Sequence, residues 1–554
     1  MNQQTNIIHF EPRVRSAPPP QGPLLSVRDL RITTEDGRVL VHDVGFDLPR
    51  GGTLGIVGES GSGKSLTCRA ILGVLPHGLS VSSGTIRYGD KDLSRRDRKS
   101  WRGLRGVEIA AVFQDPGSYL NPSIPVGRQI VEGLRAVLRI SRKEAKSRAL
   151  HLLSRVGIAE PEVVYGQYPF ELSGGMVQRA LIAIAVSAGP SLLIADEATT
   201  ALDVTVQAEV LRLIADLRRE QGLALIMVSH DLAVVAQVCD HVVVMRDGAV
   251  VEAGPTSEVL SRPRHEYTRS LLDTHAAYSL DKGVEAASAP ERDTLLDIRG
   301  LEVGYASKTV LQDVDLAIGR GEILALIGET GSGKTTLLRT ILGLVSPSAG
   351  AITLGGERLD GLTGRALARL RRSNRLQYVF QDPLRSLDPD LTIAASVGEG
   401  LALRGTDPLE RETRVADALI AVGLDPALGQ CLPRDLSGGQ RQRAVIARAL
   451  VLDPLVLLLD EPVSALDAVN RVHVLELLKS LARERCIAQL FISHDLGSVA
   501  GIADRVAVLH EGRIVECGPA GEILSKPTHP YTRALINAAP RIDLDAGEPA
   551  RLTL

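Results

Sequence analysis

The chain has 554 residues, of which 44% are apolar and 23% charged, and its net charge is −3. This composition is that of a globular protein with room for more than one domain, and a chain without a basic excess is not expected to bind nucleic acid over its whole surface. The five cysteines are scattered and never spaced as Cys-x-x-Cys, which argues against a disulfide framework, a zinc ribbon or an iron–sulfur centre and indicates reduced thiols.

The chain begins with a polar, then proline-rich stretch, residues 1–22, which we interpret as a flexible tail without the apolar core of a signal peptide. No uncharged apolar run reaches the ~20 residues that a membrane helix needs. Any association with a membrane is therefore expected to be peripheral.

The first predicted site is a glycine-rich loop, Gly58–Ser65, between a predicted strand, Thr53–Val57, and a helix that starts near Ser65 and ends at Gly73. The loop fits the pattern G-x-x-x-x-G-K-[ST], in which backbone N–H groups surround a phosphate. Lys64 is expected to reach the β- and γ-phosphates, and Ser65 to bind Mg²⁺.

Further along, Arg142–Val156 is predicted to belong to an inserted helical region, and Ser173-Gly174-Gly175-Met176 to start a helix whose serine is the N-cap. Ser191–Ala195 reads as a buried strand that ends in Asp196-Glu197. On an extended segment neighbouring side chains point to opposite sides, so we expect Asp196 to orient Mg²⁺ and Glu197 to polarise the attacking water.

The same motifs return in the same order in the second half of the chain. The repeated segments are Gly328–Thr335, Phe380-Gln381-Asp382-Pro383, Leu436-Ser437-Gly438-Gly439, Asp460-Glu461 and Ser493-His494-Asp495, with a helix at Arg411–Val422 and a strand at Leu455–Leu459. This recurrence indicates a tandem duplication or a fusion of paralogues. We predict a first domain at 23–275, a flexible linker at 276–293 and a second domain with a C-terminal tail at 294–554.

With its glycine loops, its Phe113-Gln114-Asp115-Pro116 run and the motifs above, the chain resembles the ATP-binding-cassette (ABC) ATPases from about Leu24 to about Pro540. The resemblance implies an α/β fold of two tandem P-loop NTPase domains. Each would have a RecA-like parallel-sheet core, an inserted α-helical subdomain and an antiparallel β subdomain. It also implies an ATPase that uses ATP and Mg²⁺ as cofactors.

The resemblance assigns roles residue by residue. The implied catalytic residues are Glu197, Glu461, His230, His494, Gln114 and Gln381. The implied nucleotide-binding residues are Gly58, Glu59, Ser60, Gly61, Ser62, Gly63, Lys64 and Ser65; Gly328, Glu329, Thr330, Gly331, Ser332, Gly333, Lys334, Thr335 and Thr336; Ser173, Gly174, Gly175, Ser437, Gly438, Gly439 and Gln440; and Tyr305, Asp203 and Asp467. The implied Mg²⁺ ligands are Ser65, Gln114, Asp196, Thr335, Gln381 and Asp460.

In this family two domains close head to tail, so one ATP is expected between Gly58–Ser65 and Ser437–Gln440, and the other between Gly328–Thr335 and Ser173–Met176. A tether in one chain raises the effective concentration of the two partners. The family's aromatic on adenine has a match in Tyr305 but none in Arg31–Thr34, which predicts weaker nucleotide binding at the first loop. Both copies keep the lysine, glutamate and histidine, so both sites are expected to hydrolyse ATP.

Two classes of tandem ABC protein compete, a transporter engine and an ATPase that acts on ribosomes or nucleic acid. The short mixed linker and the absence of cysteine clusters favour transport. Arg264–Leu272 and Thr528–Ile536 share a His-x-Tyr-Thr-Arg pattern that resembles the tails of oligopeptide, dipeptide, nickel and glutathione importer ATPases. The resemblance implies peptide import with two separate permease subunits and an extracytoplasmic binding protein, no nucleic acid, and a peripheral position on the cytoplasmic face of the inner or plasma membrane.

Overall fold

The computed structural model describes residues 22–94, 101, 103–113, 119–198, 202–278, 280, 293–305, 308–362, 364–464 and 466–542, without the side chains of 367–369, 371 and 372. The chain divides into two compact units, one built mainly from residues before Leu271 and the other mainly from Leu271–Ala539. Gln114, most of the predicted linker and nearly all of the predicted N-terminal tail lie outside the described residues.

The described part of the first unit contains a ten-stranded sheet with the strand order β5-β4-β1-β2-β10-β9-β3-β8-β7-β6. Strands β6, β7, β8, β3 and β9 are parallel neighbours, whereas β1, β2, β4 and β5 pair antiparallel, as do β9 and β10. The strands are β1 Leu25–Thr34, β2 Val39–Leu48, β3 Thr53–Val57, β4 Leu79–Tyr88, β5 Lys91–Asp92, β6 Ile109–Val112, β7 Leu192–Asp196, β8 Ala224–Val228, β9 His241–Arg246 and β10 Ala249–Pro255.

The second unit repeats this arrangement. Its parallel sheet has the order β16-β17-β18-β13-β19-β20, with only β20 antiparallel, and a separate antiparallel sheet has the order β12-β11-β14-β15. The strands are β11 Thr294–Tyr305, β12 Lys308–Gly319, β13 Ile323–Ile327, β14 Ala349–Leu354, β15 Glu357–Arg358, β16 Leu376–Val379, β17 Val456–Asp460, β18 Ala488–Ile492, β19 Arg505–His510 and β20 Arg513–Pro519.

The continuous apolar runs in the sequence become the central parallel strands. Every residue of β3, β8, β13 and β18 is buried, as expected for strands covered by helices on both faces. In the first unit the glycine loop follows β3, which lies between β8 and β9. In the second unit it follows β13, which lies between β18 and β19. Each loop therefore lies at the carboxyl edge of its parallel sheet. The predicted α/β fold is confirmed.

Several helices begin at residues whose side chains cap the first turn. Ser141 caps the helix that was predicted from Arg142, and Asp407 caps a helix with proline at its first position, three residues before the predicted start at Arg411. In the first unit the helices are Lys64–Leu72, Val126–Leu138, Arg142–Arg155, Pro161–Gly166, Gly174–Val186, Val204–Gln221, Leu232–Val238 and Thr256–Ser261, with a 3₁₀ turn at Pro169–Glu171. The helix Glu266–Ala277 begins in this unit.

In the second unit the helices are Lys334–Ile341, Gly364–Ser373, Pro383–Ser386, Ile393–Leu403, Pro408–Ala421, Gly438–Leu450, Ala468–Arg485, Leu496–Ile502, Ala520–Ser525 and Pro530–Asn537, with 3₁₀ turns at Pro426–Gln430 and Pro433–Asp435. The helix Glu266–Ala277 includes the first two residues of the predicted linker, because both are alanine, the strongest helix former. Within the described ranges, no helix is both long and apolar enough to cross a bilayer.

Candidate functional site

The two glycine loops require glycine at their first position for a steric reason. Gly58 has φ 147° and Gly328 has φ 151°. A Cβ atom at Gly58 would lie 2.1 Å from the carbonyl oxygen of Met245, and one at Gly328 would lie 2.2 Å from that of Leu509. The loop therefore passes close to the end of β9 or β19 before it enters the helix that starts at Lys64 or Lys334.

Each loop lysine lies against the loop's own backbone. The Nζ atom of Lys64 donates to the carbonyl oxygens of Gly58 at 2.8 Å and Glu59 at 2.7 Å, and Lys334 makes the same two bonds in its unit, at 2.7 and 2.9 Å. Burial lowers the pKa of the Lys334 ammonium. A buried cation beside backbone N–H groups is suited to hold an anion.

A serine stands two residues before the lysine in each loop. Ser62 and Ser332 are both buried, and among the described residues the Ser332 hydroxyl has no hydrogen-bond partner. A buried hydroxyl without a partner is expected to bond to a ligand, which suits a phosphate oxygen. Thr335 and Thr336 follow in the first turn of the helix.

The two acids at the end of the central strand are separated more sharply than the sequence predicted. Asp196 ends β7 and accepts a hydrogen bond from the Ser65 hydroxyl at 2.8 Å. Glu197 does not continue the strand, because its φ of 50° is left-handed, and its N–H donates to the Val228 carbonyl at 3.0 Å. The expectation of an extended segment through both acids is therefore wrong. A glutamate held in this disfavoured conformation is typical of functional sites.

The second unit repeats this turn. Glu461 has φ 49°, and its N–H donates to the Ile492 carbonyl at 3.0 Å. Asp460 is held differently from its counterpart, since its carboxylate accepts from the Tyr378 hydroxyl at 2.7 Å. The residue aligned with Tyr378 in β6 of the first unit is Ala111.

The pKa values of each acid pair move in opposite directions. Burial raises the pKa of Asp196 and of Asp460. Burial also acts to raise the pKa of Glu197 and Glu461, but their interactions with the imidazoles of His230 and His494 outweigh it and lower the pKa of both glutamates. A glutamate held ionised beside an imidazole can accept a hydrogen bond from water.

The Ser-His-Asp motif places its histidine on that glutamate. The Nδ1 atom lies 3.8 Å from Glu197 Oε1 in the case of His230, and 3.1 Å from Glu461 Oε1 in the case of His494. The aspartate that follows, Asp231, caps the helix Leu232–Val238, and the preceding Ser229 hydroxyl accepts from the N–H of that aspartate at 2.9 Å. The flanking residues thus fix the turn, and the histidine is left to face the site.

Gln381 joins the same group in the second unit, where its Nε2 donates to Glu461 Oε2 at 2.6 Å. Its counterpart Gln114 lies outside the described residues. Asp467 caps the helix Ala468–Arg485, and Asp203 directly precedes the helix Val204–Gln221. Tyr305 ends β11 with 45% of its surface exposed.

The two Ser-Gly-Gly helix starts differ in their caps. Ser437 and Gln440 bond reciprocally, at 3.2 and 2.9 Å, in a capping box. Ser173 accepts from the N–H of Met176 at 3.3 Å, but methionine cannot return a bond. Hydrogen bonds join the loop to the strand-end aspartate in the first unit and Gln381 to the glutamate in the second. Among the described residues, the hydrogen bonds include none between Ser173 or Ser437 and the loop of its own unit.

Three tyrosines near the site were not predicted to contribute to it. Besides Tyr378, the hydroxyl of Tyr267 accepts from the Glu59 N–H at 3.0 Å, and that of Tyr531 accepts from the Glu329 N–H at 2.9 Å. The repeated His-x-Tyr-Thr-Arg pattern marks the latter pair in the sequence, but nothing in the sequence connects it with the loops. Tyr378 carries no signal of this kind because it occurs in only one copy.

Comparison with known proteins identifies the family to which the chain belongs. The ABC transporter family matches residues 41–200 and 311–464, and the C-terminal region of oligopeptide/dipeptide transporters matches residues 251–293 and 515–552. The peptidoglycan transport ATP-binding protein YejF of Agrobacterium fabrum is 42% identical over 538 residues, 94% of this chain and 97% of that protein.

Two glutathione import ATP-binding proteins named GsiA are similarly close. The one from Pectobacterium atrosepticum is 40% identical and covers 95% of this chain and 90% of its own length. The one from Escherichia coli K12 is 40% identical, with 96% and 92% covered. Since both the family motifs and nearly the whole length are shared, this chain belongs to the ABC transporter family, as an ATP-hydrolysing, ATP-binding subunit of the oligopeptide/dipeptide importer group.

Proposed function

We propose that the chain energises the import of small peptides or peptide-like molecules. The C-terminal region of oligopeptide/dipeptide transporters follows both ABC segments, which supports this substrate class. The relatives described above are named for peptidoglycan transport and glutathione import, and glutathione is itself a tripeptide. The ATP-driven part of the proposal rests on one observation: in each copy a phosphate loop is accompanied by a glutamate with a lowered pKa and a histidine beside it.

In the proposed cycle, ATP binding closes the two copies head to tail. One nucleotide is held by Gly58–Ser65 together with Ser437–Gln440, and the other by Gly328–Thr335 together with Ser173–Met176. Both Ser-Gly-Gly segments begin helices of 13 residues, whose N-terminal N–H groups attract an anion. The two halves of each site then come from different copies, so that neither copy hydrolyses ATP alone.

Mg²⁺ fits the oxygen donors of each copy. Ser65 and Asp196 already lie within hydrogen-bond distance, and hydroxyl, carboxylate and amide oxygens are the ligands that Mg²⁺ prefers. We propose that Ser65, Asp196 and Gln114 hold the ion in the first copy, and Thr335, Asp460 and Gln381 in the second. When bound, the ion would supply positive charge that neutralises the phosphate oxygens.

The hydrolytic roles are assigned to the residues that face this position. Glu197 and Glu461 orient the attacking water, and their lowered pKa values keep them ionised. His230 and His494 stand beside them and stabilise charge on the γ-phosphate. Both copies contain every one of these groups, so both sites are proposed to be active.

The proposed partners are two permease subunits, which bind the helical regions of the two copies, and an extracytoplasmic binding protein that delivers the substrate. Exposed aromatic side chains support a docking surface in the first helical region, where Phe170 is 74% exposed and stacks on Tyr168. We place the protein on the cytoplasmic face of the membrane, bound peripherally.

Purification of the tagged chain from membranes tests this proposal. We expect two multispanning subunits to co-purify, and reconstituted vesicles with the complete complex to accumulate a labelled peptide only with ATP. Phe170→Ala should weaken that association, whereas Val163→Ala, at an exposed site outside the stacked pair, serves as the matched control. Recovery of ribosomal proteins in place of membrane subunits would support the alternative, a tandem ATPase that acts on ribosomes or nucleic acid.

A further inference from the structure

In each copy one carboxylate accepts hydrogen bonds from the backbone just before the helix of the C-terminal tail. Glu252 accepts from the N–H groups of Arg264 and His265, at 2.8 and 3.1 Å, and His265 Nδ1 in turn accepts from the Tyr267 N–H at 3.1 Å. The histidine of the motif therefore orients the start of the tail helix. This explains its spacing from the tyrosine, which projects from the first turn towards the phosphate loop.

The second copy repeats the arrangement with the same atoms. Glu516 accepts from the N–H groups of Thr528 and His529, at 2.8 and 3.1 Å, and His529 Nδ1 accepts from the Tyr531 N–H at 3.2 Å. Although burial opposes it, the side chain of Thr532, together with the side chain and N–H of Thr528 and the N–H of His529, lowers the pKa of Glu516 to about 2. The carboxylate is therefore ionised at neutral pH and available to all its donors.

The rings of the two tyrosines have different neighbours, whereas their hydroxyls have the same one. The Arg246 guanidinium lies 4.9 Å from the centre of the Tyr267 ring, and Tyr531 instead stacks on His510 at 3.8 Å. Both hydroxyls accept from the N–H of the second loop residue, at 3.0 and 2.9 Å. Packing of the tail helix requires only the tyrosine ring. The hydroxyl contact that both copies share therefore indicates that the hydroxyl acts on the phosphate loop.

The residue that the tyrosine hydroxyl contacts lies where the backbone of the loop is most constrained. Glu59 directly follows Gly58, which is confined by its φ of 147° and its close approach to the end of β9, and the carbonyl of Glu59 accepts from Lys64. A hydrogen bond to the Glu59 N–H therefore restrains the peptide between the strand and the phosphate cradle. Restraint before the ligand arrives lowers the entropy lost on binding.

We propose that Tyr267 and Tyr531 are positioning residues for the phosphate loops: each hydroxyl holds the second loop residue, so that ATP meets a loop that the tail has already ordered. The inference rests on the proposed role of these loops as the nucleotide sites. It gives the tail of each copy a part in ATP binding, and it makes ATP affinity depend on whether the tail is docked.

The test uses Tyr267→Phe, Tyr531→Phe and the double variant in the full-length chain, with ATP affinity, KM and kcat measured for each. Phenylalanine keeps the ring and removes the hydroxyl alone. We expect each single change to weaken ATP binding at its own loop, and the double variant to raise KM by roughly two- to tenfold, the range for one neutral hydrogen bond, with kcat nearly unchanged. Amide exchange of the peptides that contain Glu59 and Glu329 should quicken.

Tyr165→Phe, in the helix Pro161–Gly166, is the matched control and should leave KM and loop exchange as they are. Lys64→Ala with Lys334→Ala tests the nucleotide sites themselves: if these changes spare ATP binding, the proposed function fails. If they abolish binding while both tyrosine variants keep wild-type KM and loop exchange, only the inference about the tail is overturned. A lower Tm in the tyrosine variants with no change in KM or loop exchange would also overturn it.

Discussion

The two copies hold the same chemical groups but support them differently. In the first, the strand-end carboxylate of Asp196 accepts from Ser65 of the phosphate loop; in the second, Asp460 accepts from Tyr378 on the neighbouring strand. The histidine lies 3.8 Å from the glutamate in the first copy and 3.1 Å in the second. The two copies thus share their motif residues but differ in the residues that orient those motifs.

This difference teaches that equal motifs need not give equal sites. The second copy carries additional support: Tyr378 on the aspartate, a capping box at Ser437, and Tyr305 at the end of β11. The first copy has Ala111, Met176 and no aromatic at the corresponding positions. Matched changes in the two copies therefore show whether the copies respond alike.

The largest effect is expected from removal of the general base. Glu197→Gln and Glu461→Gln keep the shape of the side chain and remove its charge. Because the loss of a general base typically costs about 10²–10⁴-fold, we expect the double variant to bind ATP and to lose that much of kcat. Steady-state ATPase assays of the single variants show how each copy contributes, and wild-type turnover in Glu461→Gln would reject its assignment.

The next effect concerns the support of Asp460. Tyr378→Phe removes a hydroxyl that donates to the carboxylate, and such outer contacts typically change metal affinity about 10–100-fold. We expect a higher Mg²⁺ requirement when the change is made in the Glu197→Gln background, where only the second site is intact. The same change in the Glu461→Gln background is the control, and an equal shift in both backgrounds would contradict the asymmetry.

Tyr305→Ala is expected to have a smaller effect. The loss of one stacking contact is worth about 0.5–1.5 kcal/mol, so nucleotide binding at the second loop should weaken by a few-fold to about tenfold and approach that of the first. Nucleotide titrations of Lys64→Ala and Lys334→Ala, each with and without the Tyr305 change, separate the two loops. If the first loop binds at least as tightly as the second in the unchanged chain, the predicted difference is wrong.

The smallest effect is a pH dependence of stability in the second copy. Burial lowers the pKa of His494, but Glu461 outweighs this and raises it, whereas the pKa of Glu461 is lowered. The raised histidine contributes stability below its usual pKa of about 6.5 and loses it as the pH rises. The lowered glutamate contributes above about 4.5 and loses it as the pH falls, so the pair stabilises most between these values.

The free energy of unfolding of His494→Gln, compared with the unchanged chain, measures this contribution. The difference should be larger at pH 5.5 than at pH 8.5. His230→Gln is the matched variant in the first copy, where the imidazole lies 3.8 Å from the glutamate. A difference for His494→Gln that is constant with pH would show that the pair does not titrate as described.

Most of the fold could be predicted because its signals are local. Buried apolar runs identified β3, β7 and β17 within one residue, and Gly73 ended its helix as expected. The positions of the loops, acids and histidines followed from motifs whose residues are close in the sequence.

What could not be predicted depends on distant or unfavourable geometry. Tyr267 lies 208 residues from the loop residue that it contacts, and Tyr378 reaches Asp460 only because β16 pairs with β17. The left-handed turn at Glu197 and Glu461 opposes the local preference of glutamate, since the surrounding structure imposes it. Local propensity therefore predicts which groups are present, and tertiary contacts decide how they are held.

The most direct test of the account is a structure of the Glu197→Gln, Glu461→Gln double variant with ATP and Mg²⁺. We predict two nucleotides, each in contact with the phosphate loop of one copy and with the Ser-Gly-Gly helix start of the other. Two nucleotides that each contact a single copy, with the opposite helix start facing solvent, would contradict it.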